Sequence, residues 1–231
     1  MKLSIIIPIF NEIKTLPHVI EAVLSSAVPM EKEIILVDDG STDGSGDFIK
    51  NLSSEYKKIF LSRNSGKGAA LRAGLSASSG DIVLVQDADL EYSPNDYEDV
   101  IKPIINGDAD VVFGSRFITA HPRRVLYFHH YLANKIITFI SNLFTGLNLS
   151  DMETGTKVFN RKAVNLIKNK LVSDRFGIEP EITARVSRAQ LRIYEVGISY
   201  KGRTYSEGKK IKWHDGLAAI WHIIRFNLIS R

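Results

Sequence analysis

The chain has 231 residues, a net charge of +4 and a pI near 9.1. It contains no cysteine, which excludes disulfides, thiolate catalysis and Cys-based zinc sites. A chain of this length buries on the order of 70% of its unfolded surface, so it needs no covalent staple.

The first half alternates short apolar runs with helical patterns. Strands are predicted at Leu3–Phe10, Glu33–Asp38, Ile59–Arg63, Asp81–Asp87 and Asp110–Phe113. Their apolar content is continuous, as expected of strands covered on both faces. Met1-Lys2-Leu3-Ser4 runs straight into the first strand, so no signal peptide is expected. Between the strands, Leu16, Val19, Ile20, Val23 and Leu24 have helical spacing. Asp43 is placed to cap a helix through Asp47–Leu52, and Gly66–Ser79 reads as an Ala-rich helix. Ser93-Pro94 supplies an N-cap and first-turn pair for a helix reaching Ile105. This β-α-β-α order predicts an α/β fold with an open, mostly parallel sheet.

The second half differs. Val125–Leu149 is predicted to be one long helix, either core-packing or lying on a bilayer, with Arg123, Arg124, His129, His130 and Lys135 among its apolar residues. Thr154–Asn160 and Arg192–Tyr200 read as strands, Arg161–Asn169 and Glu179–Ala189 as helices. Trp213–Ile229 is amphipathic and basic. After Arg188, Lys and Arg outnumber the acidic Glu195, Glu207 and Asp215, which suits a phosphorylated ligand or an anionic surface. No nucleic-acid motif is present, and no nucleic acid partner is expected. No stretch approaches the roughly 18 uninterrupted apolar residues of a spanning helix.

In open parallel sheets ligands gather at the carboxyl ends of the strands. The polar and glycine-rich residues fall there: Pro8 to Glu12, Asp38-Asp39, Asn64 to Gly68, Asp87 to Glu91 and Gly114 to Arg116. The most informative is Asp87-Ala88-Asp89, a DxD pair straight after an apolar run. Like charges so close repel, and burial resists their ionisation. A hard cation relieves both penalties, and Mg²⁺ usually takes one or two carboxylates plus water and phosphate oxygens. If the segment stays extended, Asp87, Asp89 and Glu91 face one side. Asp39 and Glu12 can accept from a base or ribose. Gly66-Lys67-Gly68 opens a helix whose amides could meet phosphate, although close packing explains the glycines equally well.

Together, Ser4-Ile5-Ile6-Ile7-Pro8-Ile9-Phe10-Asn11-Glu12, Val37-Asp38-Asp39-Gly40-Ser41-Thr42-Asp43, Gly66-Lys67-Gly68 and Gln86-Asp87-Ala88-Asp89 resemble glycosyltransferase family 2 with a GT-A (Rossmann-like) fold. Gly114-Ser115-Arg116-Phe117, Asp151-Met152-Glu153-Thr154-Gly155 and Tyr200-Lys201-Gly202-Arg203…Gly208-Lys209 resemble its dolichyl-phosphate mannose synthase and dolichyl-phosphate glucosyltransferase branch. The resemblance implies one catalytic domain over 1–231, with a nucleotide-sugar half (1–115) and an acceptor half (116–231). It implies inverting transfer of a hexose from a donor of the GDP-mannose or UDP-glucose class to a polyprenyl phosphate, assisted by Mg²⁺ or Mn²⁺. Val125–Leu149, Trp213–Ile229 and their basic residues, suited to reaching a lipid-borne substrate, lead to the expectation of a peripheral protein at the cytoplasmic face of a membrane.

By that resemblance Pro8, Phe10, Glu12, Val37, Asp39, Lys67, Asp87 and Ala88 hold the nucleotide sugar. Asp87, Asp89 and Glu91 are the metal set, with Asp89 the stronger ligand. Arg116 and Arg124 hold the acceptor phosphate, and Asp89, Arg116, Arg203 and Lys209 act at the reaction centre. Ser206–Lys210 is expected to be a loop that orders on donor binding. An acceptor phosphate is already anionic near neutral pH and needs little base, whereas a hydroxyl needs a carboxylate. Glu179 and Glu181 are the candidates for that base, or hold the acceptor loop structurally. A hydroxyl-acceptor transferase, a nucleotidyltransferase and a non-catalytic nucleotide-binding scaffold remain as alternatives.

Overall fold

The computed structural model describes residues 1–118, 124–125, 127–204 and 213–229. Its centre is a seven-stranded sheet in the order β3-β2-β1-β4-β6-β5-β7. The strands are β1 (Lys2–Ile9), β2 (Glu31–Asp38), β3 (Lys57–Phe60), β4 (Ile82–Val85), β5 (Val111–Ser115), β6 (Lys157–Asn160) and β7 (Ile193–Gly197). β1, β2, β3 and β4 pair in parallel, as do β5 and β7. Only β6 runs against its neighbours β4 and β5. β6 comes from the second half of the chain and lies between two strands of the first, so one sheet spans both.

Continuous apolar strands arise because each face of this sheet is covered. Ile5, Ile7 and Ile9 of β1 enter one core with α1 (Leu16–Ser25) and α4 (Tyr97–Ile105). Ile6 enters the other, with α3 (Lys67–Ala77), α5 (Phe128–Thr145), α6 (Arg161–Ile167), α7 (Ile178–Arg188) and α8 (Trp213–Ile224). A helical turn, α2 (Ser45–Asn51), adds Ile49 to the first core.

Local chemistry sets several boundaries. Asp43 accepts from the Ser45 amide at 2.9 Å, just ahead of α2. Ser93 caps a short 3-10 turn, Pro94–Asp96, which leads into α4. Gly74 lets α3 close onto Ile6, where a Cβ would overlap the isoleucine side chain. The Trp213–Ile229 segment is α8 followed by a π-helical turn, Arg225–Ile229.

The long helix expected at Val125–Leu149 is the shorter α5. It buries Ile137, Thr138 and Ser141 and leaves Phe128 (72%), Phe139 (68%) and Leu143 (73%) exposed. α5 packs against α8, where Leu217 and Trp221 are also exposed. Among the described residues no helix is long and apolar enough to cross a membrane.

Candidate active site

The carboxyl ends of β1, β2 and β4 open on one side of the sheet, and a strap from the far end of the chain crosses them. Tyr200 bridges Tyr92 in antiparallel fashion with the rings 5.5 Å apart, and the Lys201 amide donates to the Glu91 carbonyl at 2.9 Å. Ser199 is fastened to Asp96 through its amide (2.7 Å) and hydroxyl (3.0 Å). This strap delivers Arg203 into the DxD region.

Residues 86–91 are not extended, contrary to the alternation expected for Asp87, Asp89 and Glu91. They turn, with Leu90 in the left-handed region at φ 61°. That conformation is uncommon for a bulky residue, and such strain concentrates at functional sites. Its effect is to separate the acids. Asp87 faces Lys67, whose Nζ lies 2.8 Å from Asp87 Oδ1. Asp89 and Glu91 face Arg203, at 2.9 and 3.4 Å. Arg203 also reaches Glu12 at 3.5 Å, so one guanidinium spans the ends of β1 and β4. Burial, then Asp87 and Glu91, push the Asp89 carboxyl up to about 7 despite Arg203.

Among the described residues no group of three acids or histidines is gathered as a metal cage. The donor set nevertheless fits a cation held by one or two carboxylates and completed by phosphate oxygens. Beyond burial, Asp87 and Glu91 both set like charge against Asp89, which a cation there would offset.

The Lys67 ammonium is doubly held, since Glu179 Oε1 lies 3.1 Å away. Burial opposes its charge, but Asp87 and Glu179 outweigh that and raise its pKa. Glu179 in turn bonds Lys157, which is buried at the start of β6 and also donates to the Met152 and Thr154 carbonyls. Gly155 allows this crowding: a Cβ there would overlap the Asp87 carboxylate, and its amide donates to Tyr92 Oη at 3.0 Å.

Arg116 is clamped by Asp151 through Nε (2.6 Å) and Nη2 (2.7 Å), a bidentate pair with Asp151 fully buried. Its guanidinium also lies 5.3 Å from the Tyr200 ring centre. Arg124 is tied to the strap, its amide donating to the Tyr200 carbonyl and Nη1 to that of Gly202 at 3.2 Å. Arg123, Lys209 and the Ser206–Lys210 stretch lie outside the described residues.

Several expected donor contacts have other partners. Asp39 is buried, and its two oxygens take the Ser65 amide (2.8 Å) and the Gly66 amide (2.7 Å). It thereby shapes the loop before α3. The Val37 side chain is fully buried in the core that β2 shares with α3. Ala88 is packed in the opposite core, and its carbonyl accepts from Thr15 Oγ1 at 2.7 Å. The glycines of Gly66-Lys67-Gly68 serve packing: a Cβ on either would overlap backbone of Ser173–Arg175, and Ala69 donates to the Asp174 carbonyl at 3.1 Å. Pro8, Phe10 and Glu12 remain half-buried at the end of β1. Glu181 is fully buried and accepts the Val172 and Ser173 amides while Arg185 lies at 3.3 Å, so it holds the 172–173 loop.

The sequence reading gave no role to Asp151 or Lys157. A lysine inside Thr156–Phe159, a run otherwise suited to a buried strand, was the available signal for Lys157. Glu153, half-buried, is a further acid here. Its Oε1 has no hydrogen-bond partner, and burial, then Glu179, push its pKa up to about 7.

Residues 4–167 match the family model for glycosyl transferase family 2. The chain belongs to that family. This family 2 glycosyltransferase is 29% identical, over 99% of its length and 74% of the relative's, to a dolichyl-phosphate beta-glucosyltransferase of Trichomonas vaginalis. It is 26% identical to an uncharacterized protein of Methanocaldococcus jannaschii, over 96% of this chain and 91% of the other. It is 32% identical, over 70% of this chain and 50% of the relative, to an undecaprenyl-phosphate 4-deoxy-4-formamido-L-arabinose transferase of Pectobacterium carotovorum. Among solved structures, glucosyl-3-phosphoglycerate synthase from Mycobacterium tuberculosis, in complex with Mn²⁺, UDP and phosphoglyceric acid, superposes with a TM-score of 0.75 at 19% identity. That match covers 100% of this chain and 80% of the other, and it establishes the GT-A fold that the strand order predicts. The same enzyme with Mg²⁺ and UDP gives 0.74 at 20% identity.

Proposed function

We propose that this family 2 glycosyltransferase moves a hexose from a nucleotide sugar to a polyprenyl phosphate, with inversion, at a membrane surface. The observation that carries the choice of acceptor is the state of the two glutamates on α7. Glu179 lies between Lys67 and Lys157, and Glu181 is taken up by the Val172 and Ser173 amides. Neither is free to take a proton from an acceptor hydroxyl. A phosphate monoester, with a second pKa of about 6, arrives already anionic. The names of the dolichyl- and undecaprenyl-phosphate relatives point the same way.

In this reading Arg116 binds the acceptor phosphate in the orientation Asp151 fixes, with Arg124 beside the strap as a second cation. Lys67 and Asp87 contact the donor at the floor of the cleft. Asp89, with Asp87 or Glu91, would hold Mg²⁺ or Mn²⁺, whose Lewis acidity neutralises charge on the departing nucleoside diphosphate. The exposed apolar residues of α5 and α8 would rest on the bilayer that carries the lipid, placing the protein at its cytoplasmic face.

The test is transfer of labelled hexose from UDP-glucose and from GDP-mannose, with polyprenyl phosphate or an alkyl glycoside as acceptor, each with and without Mg²⁺ or Mn²⁺. Product on the lipid phosphate alone is expected, and Glu181→Gln should retain it once its stability is matched by lower temperature. Product on the glycoside alone would refute the phosphate reading. One observation favours that second reading: Glu153 carries a buried, unbonded carboxylate oxygen with the pKa of a base. Under it, Glu153→Gln would abolish transfer to the glycoside.

A further inference from the structure

A chain of charged contacts runs beneath the cleft, from the donor side to the acceptor side. Asp87 holds Lys67 at 2.8 Å, and Lys67 holds Glu179 at 3.1 Å. Glu179 bonds Lys157, and Lys157 ends on the carbonyls of Met152, at 3.3 Å, and Thr154. Those carbonyls belong to the same short segment that presents Asp151 to Arg116 and Gly155 to Asp87. Among the described residues Glu179 alone is an acid that touches both lysines, and it joins α3, α7 and β6.

Stability alone gives a poor account of this arrangement. Removing a carboxylate and an ammonium from water is costly, and apolar replacements of a buried pair are often as stable or more so. Lys67 also starts its helix, where the helix dipole disfavours a cation. What the arrangement does supply is a fixed place for the Lys67 charge. The side chain of Lys67 is 21% exposed and that of Asp87 20%, so both reach the cleft, whereas Lys157 is 1% exposed. With Glu179 drawing on it from behind, the ammonium is shared between two carboxylates. Without Glu179 the ammonium, which already lies 2.8 and 3.1 Å from the two Asp87 oxygens, would have Asp87 as its one carboxylate partner and would hold it more strongly against the donor.

We infer that Glu179 is a positioning residue, which sets the Lys67–Asp87 pair for the nucleotide sugar and links it to the segment that orients Arg116. This rests on the donor-site reading above.

The experiment uses the full chain with Glu179→Gln, Lys157→Met and the double substitution, reading thermal midpoint and dissociation constants for UDP and GDP. Glu179→Gln alone strands a buried lysine, so its midpoint should fall. The double variant removes both members of the pair, and its midpoint should return close to the wild type. Its dissociation constant for the preferred nucleotide should stay raised by roughly tenfold or more, the usual effect of losing a partner that orients a ligand-binding group. Recovery of binding together with stability would overturn the inference. If the double variant stays unstable, Glu179→Asp decides, because it keeps the charge and shortens the reach. Weakened binding in a stable Glu179→Asp protein supports the positioning role, and wild-type binding overturns it. A wild-type chain that binds neither nucleotide overturns the donor-site reading itself and this inference with it. A wild-type chain that binds, beside a variant that binds equally, removes only the role of Glu179.

Discussion

Arg203 Nη2 donates to Asp89 Oδ2 at 2.9 Å, joining residues 114 positions apart in the chain. The same guanidinium lies 3.5 Å from Glu12 and 3.4 Å from Glu91. A single side-chain cation thus faces three carboxylates, two of them proposed to hold a divalent ion, and offsets part of their charge.

Arg203→Met should therefore strengthen the binding of Mn²⁺ to the nucleotide-free protein, by an amount on the order of tenfold. Titration of free Mn²⁺ by electron paramagnetic resonance measures this without any transfer assay. Equal or weaker binding in the variant would mean that Arg203 does not compete for these carboxylates.

Gly155→Ala should damage the proposed donor site while leaving the fold. Its Cβ would overlap the Asp87 carboxylate and stand 2.9 Å from the Tyr92 ring, so Asp87 must leave Lys67. Overpacking of this kind costs about 1–3 kcal/mol, and misplacing a site group by an ångström can cost roughly a hundredfold in rate. The expected result is a cooperative unfolding transition with kcat/KM for the donor down by about that factor. Wild-type kinetics in the variant would show that the Asp87 position is not critical.

Glu33, on β2 near the base of the sheet, makes part of the stability acid-sensitive. Burial pushes its carboxyl up, but hydrogen bonds from Ser4 and Ser79 and the charge of Lys57 outweigh this and hold it at about 2, below the ordinary 4.5. A depressed carboxylate stabilises above its unfolded pKa and loses that contribution as pH falls through its folded one. The contribution is at most about 3 kcal/mol, present above pH 4.5 and lost progressively toward pH 2. Denaturant unfolding of Glu33→Gln should show lower stability than the wild type at pH 7 and a shallower fall between pH 4.5 and 2. Parallel pH profiles for the two proteins would rule out this role.

The parallel half of the fold was legible because burial on both faces leaves a one-dimensional trace. The runs at Leu3–Phe10, Glu33–Asp38 and Asp81–Asp87 announce β1, β2 and β4, and their polar ends mark where ligands gather. β6 was harder to place. Its residues read as a strand, but nothing local shows that Lys157–Asn160 inserts between β4 and β5 in the reverse direction. The turn at Leu90 was likewise hidden, since leucine carries no propensity for a positive φ.

By itself the sequence determined the parallel strands, the side on which the site opens, the acids of the Asp87–Glu91 segment and the family resemblance. The tertiary structure alone decided which charges meet. With 30 Lys and Arg and 26 Asp and Glu, composition allows a great many pairings. Coulomb attraction depends on distance and burial, with no dependence on sequence separation. Only the fold could bring Arg203 to Asp89, Lys67 to Asp87 and Glu179, and Asp151 to Arg116.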